Sequence, residues 1–346
     1  MSEIVVTTEG AIGHIHLNRP MTINALTPEM VHNIAKALDQ FANASEIAAV
    51  LVTGAGKRGL CAGGDIRALY EHRASGPEFG MAFFRDEYRL NAQIAKFPKP
   101  YIAFMNGITM GGGVGISSHG SVRIVTETTK LAMPETGIGF FPDIGASWML
   151  SHGPGEVGTY LALTGQIIDG ADAIFSGLAD YFIESTHLPA LREELTTLPR
   201  TASPEDMHSL ARKFAQPLAA PLAQHKEEID ECFHFNDAKQ IVSALEKSGT
   251  SFAQQTLETL KQKSPTGMQV ALRLLRQAKT SDTLKTCLQR EYDACEQVLR
   301  SDEFYEGIRA AVIDKDRRPN WNPASLDEVT EAVIASYFFS SKTHIF

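Results

Sequence analysis

A chain of repeated strand–strand–helix turns, α/β in its first half and all-helical in its second, is the fold class predicted by this 346-residue sequence. Three observations carry it. Short apolar strands alternate with helical stretches through the first half. Glycines cluster where those strands end, and β-branched runs become scarce beyond about residue 203. At about 150 residues per domain the length suggests roughly two domains.

The elements follow in order. Ile4–Thr8 and Ala11–Leu17 read as strands joined by a turn at Glu9-Gly10. Thr27-Pro28-Glu29 starts a helix: Thr27 can cap, Pro28 suits the first turn, and Glu29 favours the positive end of the dipole. Behind it Val31, Ile34, Ala35, Leu38 and Phe41 recur at helical spacing and make one buried face. Further strands are Ala48–Thr53, ending in Gly54-Ala55-Gly56, then Tyr101–Met105, Ser121–Thr126 and Ala179–Ile183. The texture changes over 185–203, where 196–204 is linker-like. Ser203-Pro204-Glu205-Asp206 then starts a helix by the same capping logic. Met268, Ala271, Leu272, Leu275 and Ala278 form an apolar stripe after Ser264-Pro265, and 281–300 and 302–313 read as helical. These changes set an expected division into residues 1–190 and 191–346.

Composition bounds the function. With 43% hydrophobic and 21% charged residues the chain is an ordinary globular one, which excludes disorder, collagen and a disulfide scaffold. No apolar run approaches the ~18 residues of a membrane span. A net charge of −9 argues against a nucleic-acid surface while leaving room for a local basic pocket. Cys61, Cys232, Cys287 and Cys295 form no CxxC and no zinc spacing, so they read as reduced thiols. Met1-Ser2-Glu3 leads straight into the first strand, from which a cytoplasmic location is expected.

Three segments concentrate the unusual residues. In Gly59-Leu-Cys61-Ala-Gly63-Gly64-Asp65-Ile66, two glycines precede an acid placed to cap a helix. They leave the Gly64 amide open to a ligand; alone, the segment is as readily a plain turn. In Asn106-Gly107 to Gly115, five glycines in nine residues give backbone access at a helix start, where amides and dipole favour developing negative charge. Spacing excludes a dinucleotide fingerprint, and neither a Walker A nor a GxSxG sequence occurs. The third segment sets Glu135 and Asp143 eight residues apart in an apolar loop with Ile138, Phe140 and Phe141. A carboxylate in such surroundings has its charged form disfavoured, which suits acid–base work; two solvent-facing loop acids are the plainer alternative. Amides that hold an oxyanion beside a carboxylate pair would make an acyl-transfer or enolate site, yet spacing does not bring the three segments together.

These residues carry a resemblance. Leu17-Asn18-Arg19-Pro20 with Asn24-Ala25-Leu26, Cys61-Ala-Gly-Gly-Asp65-Ile66, Asn106-Gly107 with Gly111-Gly-Gly113, and Pro134-Glu135 are similar, in order, to the signatures of the crotonase (enoyl-CoA hydratase/isomerase) superfamily. Within it the chain resembles the group that hydrolyses 3-hydroxyisobutyryl-CoA. The stretches concerned are Phe84-Arg85-Asp86-Glu87-Tyr88, Met133-Pro-Glu-Thr136, Phe141-Pro-Asp-Ile-Gly145, Ser264-Pro-Thr266, Glu306-Gly-Ile-Arg309 and 313–321.

The resemblance implies a crotonase-like spiral over 1–190 and a helical region over 191–346 that covers or extends the active site. It implies an acyl-CoA substrate, hydrolysed in valine breakdown, with the amides of Gly64 and Gly112 on the thioester oxygen. Glu135 takes the catalytic glutamate's position, as nucleophile or base; Asp143 takes the hydrolase group's second acidic position, and Glu87 contacts substrate. From its position just past Gly64-Asp65, Arg67 is a weaker candidate for the CoA phosphates, with a plain surface arginine as the equal alternative. Neither metal nor redox cofactor is implied, CoA being part of the substrate. Crotonase cores form trimers or hexamers, so a homo-oligomer and a helical half covering its own core are both open. Hydratases carry a second glutamate where this chain has Gly115, and glycine moves no proton. Hydrolysis is therefore expected over hydration or isomerisation, with non-catalytic acyl-CoA binding as the third alternative.

Overall fold

The computed structural model describes residues 2–339 and 343–346. Its nine strands are β1 Ile4–Glu9, β2 Ile12–Leu17, β3 Ala49–Gly54, β4 Gly59–Cys61, β5 Tyr101–Met105, β6 Ile108–Met110, β7 Val122–Val125, β8 Lys130–Ala132 and β9 Tyr181–Phe182. They form two sheets. The larger has the order β1-β2-β3-β5-β7-β9, antiparallel at β1·β2 and parallel elsewhere; the smaller is parallel, in the order β4-β6-β8. From β3 onward the chain alternates between the sheets, so the expected strand–strand–helix turn repeats.

The described residues form two compact units. The first takes the chain to Gly64, Arg89–Ala132 and Ile167–Pro221, and holds both sheets. On one face of its large sheet, Ile12, Leu51, Ile102, Phe104 and Val122 pack with Leu191, Leu195, Met207 and Leu210. Those leucines and Met207 belong to the helices Leu188–Thr197 and Pro204–Phe214, so the stretch 191–221 folds with the strands. The second unit takes Asp65–Tyr88, Met133–Gln166 and the chain from Leu222 on, and has no strand among its described residues.

Local chemistry explains the element starts. Thr27 accepts the Met30 amide at 3.1 Å and opens the helix Pro28–Asn43; Met30 and Ala37 join its buried face, while Ala35 is only half-buried. Ser203 and Asp206 form a reciprocal capping box. Asp65 departs from expectation: its side chain makes no capping bond to the helix Ile66–Glu71. The stretch read as one helix over 302–313 is an α-helix, Asp302–Ile308, running into a π-helical turn, Arg309–Ile313. No helix among the described residues is long and apolar enough to cross a membrane.

Candidate active site

The small sheet orders the two glycine segments. Its three strands run parallel, with a register shift in β4 between Gly59 and Cys61; Cys61 pairs with Thr109 and Met110 with Ala132. Gly64, Gly112 and Glu135 follow the carboxyl ends of these adjacent strands by two or three residues. In the first unit the two glycine turns meet directly. A Cβ on Gly63, at φ +110°, would lie 3.7 Å from the Gly112 nitrogen, and one on Gly113 would lie 2.3 Å from the Cys61 carbonyl oxygen. Gly63 is required by its positive φ and Gly113 by the close approach. Gly112 begins the helix Gly112–Ser118, whose first-turn amides have no intrahelical acceptors. Asn24 fixes the first turn from below: its amide donates to the carbonyls of Ala55 and Leu60, both at 3.0 Å, and it accepts the Arg19 amide.

In the second unit, Glu87, Glu135 and Asp143 are all buried. Glu87 projects from the helix Glu78–Ala95, Glu135 opens the 3-10 turn Glu135–Ile138, and Asp143 sits in the loop before the helix Ala146–Ser151. Around them stack Phe84, Tyr88, Phe140, Phe141 and Phe304, with ring centroids 4.5–5.9 Å apart. The plain alternative of solvent-facing loop acids is thereby set aside.

The electrostatics follow from that burial. Desolvation raises the Glu87 and Glu135 carboxyls well above the usual range, and the Asp143 charge raises both further. Asp143 is pushed up to about 7 by burial, against the pull of the Tyr88 hydroxyl, which donates to its Oδ2 at 2.7 Å. Glu87 Oε1 and Glu135 Oε2 are buried without a hydrogen-bond partner among the described residues. Such oxygens are expensive to leave unmet, so they mark where a ligand's polar atoms belong.

The Glu135 turn is braced closely. Thr136 donates its hydroxyl to the Leu163 carbonyl at 3.1 Å, and its own carbonyl accepts the Ser264 amide at 2.9 Å. Ser264 in turn donates to Glu303 Oε1 at 2.6 Å. Arg67, the candidate for CoA phosphates, donates from Nη2 to the Val312 carbonyl at 3.0 Å.

Three residues of this site escaped the reading of the sequence. Tyr88 stands beside Glu87 and bonds Asp143; Cys295 lies 3.1 Å from the Tyr88 oxygen; Glu291 binds the backbone just after Asp143. The helix Leu284–Leu299 held a signal. Cys287, Leu288, Glu291, Cys295 and Val298 share one apolar face, and an acid on such a face demands a partner.

The chain is similar to known proteins over nearly all its length. It is 39% identical to the 3-hydroxyisobutyryl-CoA hydrolase, mitochondrial, of Rattus norvegicus over 345 residues, covering 98% of this chain and 89% of the relative. The protein of that name from Homo sapiens matches at 39% over 344 residues, with the same shares. Among solved structures, a carnitinyl-CoA dehydratase from Mycobacterium thermoresistibile superposes with a TM-score of 0.94 at 39% identity, covering 100% of this chain and 99% of the other. An enoyl-CoA hydratase from Rhodobacter sphaeroides 2.4.1 gives 0.88 at 37%, with 97% of each chain covered. Residues 12–338 match the family described as enoyl-CoA hydratase/isomerase. With its two parallel-strand layers, its paired glycine turns and its buried acids in sequence order, the chain belongs to the enoyl-CoA hydratase/isomerase family.

Proposed function

We propose that the protein is an acyl-CoA thioester hydrolase that converts 3-hydroxyisobutyryl-CoA and water to 3-hydroxyisobutyrate and CoA, a step of valine degradation. The observation that carries this reading is the cluster of Glu87, Glu135 and Asp143, buried among aromatic rings with two carboxylate oxygens that have no hydrogen-bond partner among the described residues. The names of the relatives at 39% identity point the same way.

In this reading the amides of Gly64 and Gly112 hold the thioester oxygen and take up its charge as the carbonyl becomes tetrahedral. Losing one such donor costs about 3–4 kcal/mol of barrier. Glu135 either deprotonates a water that attacks the carbonyl and gives the acid directly, or attacks with its own oxygen to form a mixed anhydride. Water then cleaves that anhydride, releasing the acid and restoring the carboxylate. Burial makes that carboxylate the more basic for either role. The carbon–sulfur bond breaks, and Asp143, near neutrality in pKa, holds a proton that the departing thiolate can take. Glu87 orients the acyl group, and Arg67 is the cation proposed for the CoA phosphates. Water is the only co-substrate. The four buried cysteines, none in a disulfide among the described residues, fit a reducing compartment, the cytoplasm in the expectation above.

A second reading has its own support, since the two solved relatives are named dehydratase and hydratase. It lacks the hydratases' second glutamate at that glutamate's own position, because Gly115 and the rest of the helix Gly112–Ser118 carry no acid. Free thiol released from 3-hydroxyisobutyryl-CoA by purified protein supports hydrolysis. Hydration of crotonyl-CoA with the thioester left intact sinks it.

A further inference from the structure

The loop that delivers Asp143 is held in a conformation it would not choose. Ile144, a β-branched residue, has φ +60°, and Gly145 follows at +80°. A non-glycine residue in that region costs on the order of 1–2 kcal/mol unless its surroundings enforce it. The enforcing group is Glu291. It is wholly buried at 0% exposure, on the helix Leu284–Leu299. Its Oε2 accepts the Gly145 amide at 2.7 Å, and its Oε1 accepts the Ser147 amide at 3.0 Å and the Ser147 hydroxyl. Three donors converge on two oxygens, immediately after the strained residue.

The same helix reaches the other end of Asp143. One turn beyond Glu291, Cys295 Sγ lies 3.1 Å from the Tyr88 oxygen, and the Tyr88 hydrogen goes to Asp143 Oδ2. Cys295 is therefore the donor to Tyr88. Two residues at i, i+4 on one helix face thus grip the backbone after Asp143 and the hydroxyl that bonds its carboxylate. Burying a carboxylate with no cation among its bonded partners opposes folding, so what this arrangement gains is position.

We propose that Glu291 is a positioning residue for Asp143, fixing the 143–147 loop so that the Asp143 carboxyl meets the substrate in one geometry. The inference rests on the hydrolase reading, and its test separates the two. Glu291→Gln keeps the volume but turns an NH2 group toward an N–H, so the clamp breaks without a cavity. Thiol release from 3-hydroxyisobutyryl-CoA is measured for wild type, E291Q, D143N and the double variant. E291Q should lower kcat about 10- to 100-fold with KM within about threefold, and should not slow D143N further. A folded E291Q with kcat within about twofold of wild type overturns the proposal. So does an equal fold loss in the wild-type and D143N backgrounds, which would make the effect merely structural.

Where E291Q fails to fold, S147A removes one donor of the three. It should cost about 3- to 10-fold in kcat with the same non-additivity, and additivity with D143N overturns the proposal there too. Hydrogen exchange of the 143–147 amides gives a readout independent of activity. Faster exchange in E291Q or S147A supports the clamp, and unchanged exchange overturns it. Wild type that releases no thiol defeats the hydrolase reading alone, and the exchange result still decides the clamp.

Discussion

Glu135 shows most directly what one residue does at this site. Burial raises its carboxyl first, then the neighbouring charges of Asp143 and Glu87, and its Oε2 has no protein partner among the described residues. A group so placed is poised to react and contributes little to the fold. Glu135→Gln should therefore abolish thioester hydrolysis, by about 10³-fold or more if Glu135 forms the new bond or activates the water. The circular dichroism spectrum should not change. Retained turnover removes Glu135 from the reaction. Glu135 and Asp143 were legible in the sequence because an acid in an apolar, glycine-rich loop has few structural reasons to be there, whereas Glu87, on a helix, entered only through the family resemblance. Glu291 was not legible, because an acid inside a helical stretch reads as a solvated face until the helix's orientation is known. Tyr88 was hidden for the opposite reason: a tyrosine among phenylalanines reads as core, and only its hydroxyl, 2.7 Å from Asp143, gives it a second role.

Among the elements, those with a capping group or an apolar run in the sequence were readable, and the short strands of the small sheet were not. The strand Tyr101–Met105 and the helix starts at Thr27, Ser203 and Ser264 have their capping groups and apolar runs in the sequence itself. β4, β6 and β8 have three residues each and flanking glycines, too short for any alternation to register. They matter nonetheless, because their parallel pairing sets where Gly64 and Gly112 leave the sheet. The Glu135 turn is shaped by an element from far along the chain. Gly307, on the helix Asp302–Ile308, lies so close that an added Cβ would fall 2.3 Å from the Ile138 carbonyl carbon. That atom is backbone and cannot yield as a side chain tip can. Gly307→Ala should displace the turn, lowering kcat by about tenfold or more and stability by about 1–3 kcal/mol. Kinetics and thermal unfolding of the one variant check both, and wild-type kcat in it would show that the close packing does not govern the turn.

For the whole molecule, the acids of the site set a dependence of stability on pH. In the unfolded chain a carboxyl such as Asp143 ionises near pH 3.8, whereas in the fold it keeps its proton to about 7. Glu87 and Glu135 are raised in the same direction by burial. Between those limits the native state binds more protons than the unfolded one, so the cluster's stability is fully present at low pH and declines as pH rises. At about 1.4 kcal/mol per unit, the Asp143 carboxyl alone accounts for a loss on the order of 2–4 kcal/mol by pH 8. Two other sets of groups bound the window. Glu9 and Glu156, lowered by their cationic partners, withdraw stability only as pH falls through the acid range. His14 and His16, lowered chiefly by burial, add stability as pH rises toward 6.5 and so oppose the cluster there. The clean comparison is therefore wild type against Asp143→Asn, in urea unfolding at pH 5, 6.5 and 8. D143N should be the more stable of the two by a margin that widens with pH, while losing turnover. A margin that is constant or narrows toward pH 8 would mean that Asp143 is ionised in the fold throughout. It would then have no proton to give the leaving thiolate, and its part in hydrolysis would reduce to binding the substrate hydroxyl.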